Sequence, residues 1–286
     1  MKILITRMFA RGDVLVATAI LPALKKKFPD AIIDFQTACP DVMVNNPYID
    51  KLVFEVEGEY DLHIQLDMSY ESRPTDNILH VYAELAGVPI QDCMPFLNCS
   101  QVNKPLLDNY VVVHAGNTNW AGRNWDKSKF KELAIRIHDA GHQIICVGGP
   151  EDYFVPSDCD VRGKTTIGQL ATIMKDSRLF VGIDSFPMHV AQTFNIPSVV
   201  FFGSIRGDTR IYRQNAKWVS DFTLPCLGCH HRKQAPSVAT HECETGTLDC
   251  INNVSVNQMW DAISMELFGN TESRQQESAR INLYQE

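Results

Sequence analysis

The chain has 286 residues, 45% apolar and 21% charged, enough for two soluble domains each with its own core and too apolar for a disordered protein. A formal charge of -8 without a basic stripe argues against nucleic acid as the main partner. No apolar run approaches the ~20 residues that span a bilayer, and the opening M-K-I-L-I-T-R turns polar too soon for a secretory signal. A cytoplasmic protein is therefore expected, with peripheral association at the inner membrane face as its only membrane contact.

Residues 2–6 read as a short buried strand. A polar loop through Arg11, Gly12 and Asp13 leads into one helix with Val14, Ala17, Leu21 and Leu24 at helical spacing, its lysines gathered at the C-terminal end, where the dipole favours them. Strands follow at 31–35 and 60–67, then a helix on Ile78, Val81, Tyr82 and Leu85, stopped by Gly87 and Pro89. Polar residues 101–109, with Pro105, read as a linker.

The pattern then restarts. A strand at 111–114 precedes a helix capped by Asp126, with Phe130, Leu133, Ala134 and Ile137 on one face and Gly141 at its end. A strand at 144–147 runs into Gly148-Gly149-Pro150-Glu151, and 167–174 reads as a helix. The segment 180–204 is a buried strand, a polar turn at Asp184 and Ser185, a short helix and a second buried strand ending at Gly203. Two successive strand-helix alternations imply an α/β protein with parallel sheets, in which ligands bind beyond the carboxyl ends of the strands. A last helix is expected at 256–268, followed by a poorly packed tail at 270–286.

Several side chains at those strand ends could carry chemistry, and each has a plainer alternative. Asp13 could cap its helix, or its carboxylate could take the proton of an attacking hydroxyl. Thr118 and the small residues around it suit phosphate contacts. Arg123 is a fixed charge able to stabilise a leaving diphosphate, or an arginine on a solvated turn. Glu151 could accept hydrogen bonds from ribose hydroxyls or simply face solvent, and His189 could be a core histidine.

The sequence D-S-F-P-M-H, followed by a helix and a strand closing on F-G, resembles the donor-site motif D-S-G-P-M-H of the family 9 glycosyltransferases, the heptosyltransferases of bacterial lipopolysaccharide synthesis. The opening is similar to the family's "LGDVVLATPLLRALK", residues 45–53 to "NPYVDRVI", 114–125 to "HPGAS…KRWP" and 148–151 to "GGPAE". The resemblance implies a GT-B architecture of two facing Rossmann-like domains, an abbreviated acceptor-side domain at 1–104 and a nucleotide-sugar donor domain at 105–269. It implies an inverting transfer in which Asp13 is the base on an acceptor-side loop with Arg11 and Gly12. Thr118, Arg123, Glu151, Asp184, Ser185, Phe186, Pro187, Met188 and His189 would bind the nucleotide-sugar donor. Phe186 stands where the family has glycine. The implied donor is a nucleotide-diphosphate sugar, ADP-heptose by default, the acceptor a glycan, lipopolysaccharide or other lipid-linked sugar, or protein, and no catalytic metal is needed. The competing expectation is a catalytically degenerate nucleotide-sugar-binding or scaffold protein with a structural metal site.

Five of the nine cysteines are scattered and read as reduced thiols. Cys226, Cys229, Cys243 and Cys250 cluster in a loop at 224–252, and the C-x-x-C pair followed by two more thiols suits a tetrahedral structural zinc or iron. His230, His231 or His241 could replace one thiol; disulfides or unligated thiols are the alternatives. The cluster resembles the four-cysteine iron-binding finger of protein-modifying heptosyltransferases.

Overall fold

The computed structural model describes residues 1–101, 107–232 and 242–282, without the side chains of 231, 232 and 270–282. Most of the expected linker, His241 and the last four residues therefore lie outside the described residues, as does the side chain of His231.

The first half contains β1 (Lys2–Thr6), α1 (Arg11–Ala17), α2 (Ile20–Lys27), β2 (Ile32–Gln36), β3 (Lys51–Val53), β4 (Leu62–Gln65) and α3 (Ile78–Leu85). The single helix expected after Asp13 is two. Pro22 has no N–H to give the Thr18 carbonyl, so the Leu21 N–H reaches it at 3.2 Å in a tighter turn. Thr18 Oγ1 accepts the N–H of Phe96 at 2.9 Å, tying the break to a distant segment. Asn77 caps α3 by accepting the Leu79 N–H at 3.0 Å.

The second half contains β5 (Val111–His114), α4 (Lys127–Asp139), β6 (Ile144–Cys146), β7 (Cys159–Asp160), α5 (Ile167–Lys175), β8 (Leu179–Ile183), α6 (Phe186–Thr193), β9 (Ser198–Phe201), β10 (Ala216–Val219), α7 (Cys229–Arg232), α8 (Asp249–Asn252) and α9 (Val256–Asn282). Asp126 caps α4 as expected, accepting the N–H groups of Ser128 at 2.6 Å and Lys129 at 3.3 Å. The last helix does not stop near Phe268: its backbone continues to Asn282.

All strand pairs are parallel. The first sheet has the order β3-β2-β1-β4, and the second has β7-β6-β5-β8-β9-β10, the same order with two strands added. Each is a Rossmann-like sheet whose strand order reverses beside its first strand, at β1/β4 and at β5/β8. The expected GT-B arrangement is present, and four strands against six give the abbreviated first half its form.

One apolar core fills the first half and continues through α1 and α6 into one face of the second sheet. A second core lies on the opposite face, where Trp125, Phe130 and Ile137 meet Val256, Met259, Ile263 and Leu267 of α9. Trp125 packs edge-on to Phe130 at 5.1 Å, and its indole N–H donates to the Val254 carbonyl at 3.1 Å. The two halves pack closely at Gly12. A Cβ there would sit 2.8 Å from Cδ2 of His189, so only glycine lets α1 approach α6 this closely without displacing that ring.

Candidate functional site

Where β5 and β8 separate from their successors, a cleft of about 390 Å³ opens at their carboxyl ends. Its wall is built from the turns after β5, β6 and β8 and from the N-terminal end of α5, with Arg11 reaching in from the first half. Arg123 is held rigidly: Nε donates to the Asp184 carbonyl at 3.0 Å, and Nη2 lies 3.2 Å from the Asp184 carboxylate. Its guanidinium lies 4.7 Å from the ring centroid of Trp120. Asp184 is only 3% exposed. This buried carboxylate is paired with the arginine that lines the cleft.

Ser185 lies in the turn after β8, immediately before α6. Its Oγ is 2.9 Å from Nδ1 of His114, whose Nε2 is 3.0 Å from the Asp152 carboxylate. The same carboxylate accepts the Gly149 N–H at 2.7 Å. Burial works against an ionised Asp152, but the bonds from His114 and Gly149 hold its carboxyl below the usual range. An ionised Asp152 only accepts, so Nε2 carries the proton. Gly148, with φ +141°, makes room for the pair, because a Cβ there would fall on the Asp152 carboxylate and 2.9 Å from the His114 ring.

Across the interface, Asp13 lies in the first turn of α1 and does not cap it. Its Oδ2 accepts from the Arg7 guanidinium and, at 2.9 Å, from the Tyr70 hydroxyl. Arg7 also donates to Glu71 at 2.8 Å and to the Leu66 carbonyl at 3.1 Å. Burial alone disfavours its charge, yet Tyr82, Asp13, Tyr70 and Glu71 raise its proton affinity above the ordinary value. Arg210, buried in the second half, lies 4.6 Å from the Tyr70 ring centroid and within electrostatic reach of both Asp184 and Asp13.

Of the residues singled out from the sequence, Arg11, Thr118, Arg123, Asp184, Ser185, Phe186 and Pro187 line the cleft. Glu151 does not. The turn that folds Asp152 back onto the Gly149 N–H leaves Glu151 exposed, and Asp152 faces the cleft in its place. Met188 is fully buried. His189 is 3% exposed between the halves, stacked on Tyr212 with centroids 6.1 Å apart and lined up with Gly12, outside the cleft wall. Phe186 both lines the cleft and packs on the core, which accounts for a bulky residue where the family motif has glycine. Arg7, Tyr70, His114, Asp152 and Arg210 were not singled out.

Burial pushes the His189 imidazole down from 6.5 to about 4. The folded protein thus binds fewer protons than the unfolded chain in this range. The contribution to stability is complete above pH 6.5 and is lost as the pH falls towards about 4. Urea midpoints measured against pH should fall through this window, and His189→Gln should flatten the slope. An equally steep slope in that variant would place the acid sensitivity elsewhere.

Cys226, Cys229, Cys243 and Cys250 line one small cleft of about 10 Å³ with Gly122 and Ser204. None of the four is in a disulfide among the described residues. Among the described residues, no three His, Cys, Asp or Glu side chains form a group that could hold a metal ion. His230 stacks on Trp120 with ring centroids 4.4 Å apart. No helix among the described residues is long and apolar enough to cross a membrane.

The comparisons with known proteins bear on this arrangement. Lipopolysaccharide heptosyltransferase 3 of Escherichia coli is 27% identical over 108 residues, 34% of this chain and 32% of that protein. The chain spans between about a third and just under half the length of the curated relatives it matches. Among solved structures, the iron-containing dodecameric glycosyltransferase TibC of enterotoxigenic E. coli H10407 superposes with a TM-score of 0.77 at 14% identity, covering 95% of this chain and 79% of that one. The E. coli ADP-heptose lipopolysaccharide heptosyltransferase II gives 0.66 at 16% identity, covering 95% and 100%. The description of glycosyltransferase family 9 (heptosyltransferase) matches residues 79–238, more than half of the sequence, and the chain belongs to that family.

Proposed function

We propose that this protein is an inverting glycosyltransferase that moves a heptosyl group from ADP-heptose to a hydroxyl of a glycan, lipid-linked or protein acceptor. The observation that carries the reading is geometric: Gly12, beside Asp13 in α1, packs against His189 of α6, and the first turn of that same helix borders the cleft that holds Arg123. The acceptor oxygen attacks the anomeric carbon and gives its proton to Asp13. The bond to the donor phosphate breaks on the opposite face, and its electron pair stays on the diphosphate. Arg123 and the N-terminal end of α6 stabilise that charge in place of a divalent cation. Ser185, oriented by His114 and Asp152, and Thr118 contact the donor.

Purified protein should release ADP from ADP-heptose, and transfer should follow when heptose-deficient lipopolysaccharide or a hydroxyl-bearing protein is supplied. ADP binding without turnover on any nucleotide sugar would favour a scaffold that has kept only the donor cleft.

The four-thiol cleft is proposed to hold a structural zinc or iron. The donor set supports this: burial and the proximity of Cys229, Cys243 and Cys226 push the Cys250 thiol up to about 12, a penalty that a bound cation would relieve. Elemental analysis should find about one metal per chain, lost when Cys226 and Cys229 are both replaced by serine. A metal-free protein that melts and turns over normally would remove the site.

A further inference from the structure

The Asp13 carboxylate is loaded on one side only. Arg7 and Tyr70 both donate to Oδ2, and among the described residues nothing donates to Oδ1. Tyr70 is itself caged. Its ring lies 5.3 Å from the Arg7 guanidinium, 4.6 Å from that of Arg210 and 6.2 Å edge-on from Tyr82. Burial and the neighbouring Asp13 charge push its phenol well above the usual range, so the hydroxyl keeps its proton and can only donate to the carboxylate.

The loop carrying Tyr70 is pinned by Arg7, which donates to the Leu66 carbonyl at 3.1 Å. The loop carrying Arg210 is pinned to the first half by Asn77, whose Nδ2 donates to the carbonyls of Asp208 and Ile211, each at 2.8 Å. Tyr70 therefore stands at the joint: its hydroxyl touches the base and its ring touches a cation of the donor half.

Resting on the reading of Asp13 as base, we infer that Tyr70 is a positioning residue. It turns the carboxylate so that Oδ1 takes the acceptor proton, and it holds that oxygen in register with the donor half through Arg210. In the transfer step the acceptor O–H bond breaks, the proton goes to Oδ1, the acceptor oxygen bonds to the anomeric carbon, and the leaving diphosphate keeps the electron pair of the broken C–O bond. Oδ2 stays bound to Arg7 and Tyr70 throughout. A rotated carboxylate would offer the acceptor an oxygen already carrying two donors, a poorer base in a poorer place.

Tyr70→Phe keeps the ring and its cation contacts and removes only the hydroxyl. With ADP-heptose as donor, and water or heptose-deficient lipopolysaccharide as acceptor, kcat for ADP release should fall roughly ten- to a hundred-fold, the usual range for losing a hydrogen bond to a charged group. Donor KM and ADP affinity should stay within about twofold, because the donor cleft is not touched. Arg7→Lys, which keeps the charge but loses the fork, should show the same split. Asp13→Asn, run in parallel, separates the two readings. If it retains wild-type turnover, the base assignment fails and this inference fails with it. If it is inactive while Tyr70→Phe turns over like wild type, the base assignment stands and the role of Tyr70 is overturned. A rise in donor KM in Tyr70→Phe would also overturn it, by placing Tyr70 on the donor. Adding Tyr70→Phe to Asp13→Asn should cost nothing further, since a positioning group has no effect once the group it positions is gone.

Discussion

Asp13→Ala should lower kcat by ~10²- to 10⁴-fold while leaving ADP binding unchanged, the range expected when a positioned general base is removed. The split follows from where the side chain stands. Asp13 belongs to α1 in the first half, while the cleft that would take the diphosphate is built mainly from the ends of β5, β6 and β8. Among the described residues only Arg11 crosses from the first half into the cleft wall, and Arg11 is bound to Asp41 at 2.9 Å. Removing the carboxylate also leaves the Arg7 guanidinium 5% exposed with Glu71 as its closest remaining counter-ion, so some loss of stability should accompany the loss of rate. Asp13→Asn keeps the shape and an acceptor oxygen for Arg7 and Tyr70 but not the charge, so it should lose less stability than the alanine while being as slow. Steady-state ADP release with parallel calorimetry of ADP binding measures both. A variant with near-normal kcat would take Asp13 out of the mechanism, and one that loses ADP affinity would mean that the halves come apart when the Arg7 pair is broken.

The parts of this molecule legible in the sequence are those that local physics decides. The strand at 111–114 and the helix capped by Asp126 could be read because burial on both faces and a capping carboxylate each leave a mark a few residues long. β7 and β10 could not: β7 has two residues, and β10 carries exposed Lys217 at the sheet edge, so neither gives a continuous apolar run. The long first helix was misread because a helical period survives a Pro22 break when both pieces bury the same face. At the site, the segment around Asp184 and Ser185 was visible because strand, turn and helix follow one another in the chain. The Asp152-His114-Ser185 chain was not, since its members come from three strand ends and meet only when β5, β6 and β8 lie side by side. Glu151 and Asp152 show the resolution of such reading. The strand end and the resemblance to GGPAE pointed to this turn, but the bonds from Gly149 and His114 decide which carboxylate turns inward. Arg7 did leave a signal, a charge directly after four buried strand residues, where a parallel sheet places its ligands.

Arg123→Ala should weaken ADP binding and lower kcat together, with a rate loss on the order of 10²- to 10³-fold, comparable to removing one preorganised donor from a site where negative charge develops. Binding suffers because Arg123 is a cation in the cleft wall, and rate suffers further because the diphosphate gains a negative charge as the sugar leaves. The arginine is preorganised by three contacts at once: the Asp184 carbonyl, the Asp184 carboxylate and the Trp120 ring. Lysine cannot reproduce that set, because a single ammonium has no planar face for Trp120 and no second nitrogen at fixed spacing for the carbonyl and carboxylate together. Arg123→Lys should therefore restore part of the ADP affinity, which needs mainly charge, and less of kcat, which needs charge in one place. Asp184→Asn tests the same geometry from the other side. It removes a negative charge from beside the diphosphate, so on electrostatics alone ADP would bind more tightly. If Asp184 serves to hold Arg123, kcat should nevertheless fall. Tighter ADP binding with unchanged or faster turnover in Asp184→Asn would show that Arg123 needs no anchor, and unchanged affinity and rate in both Arg123 variants would leave it a surface arginine.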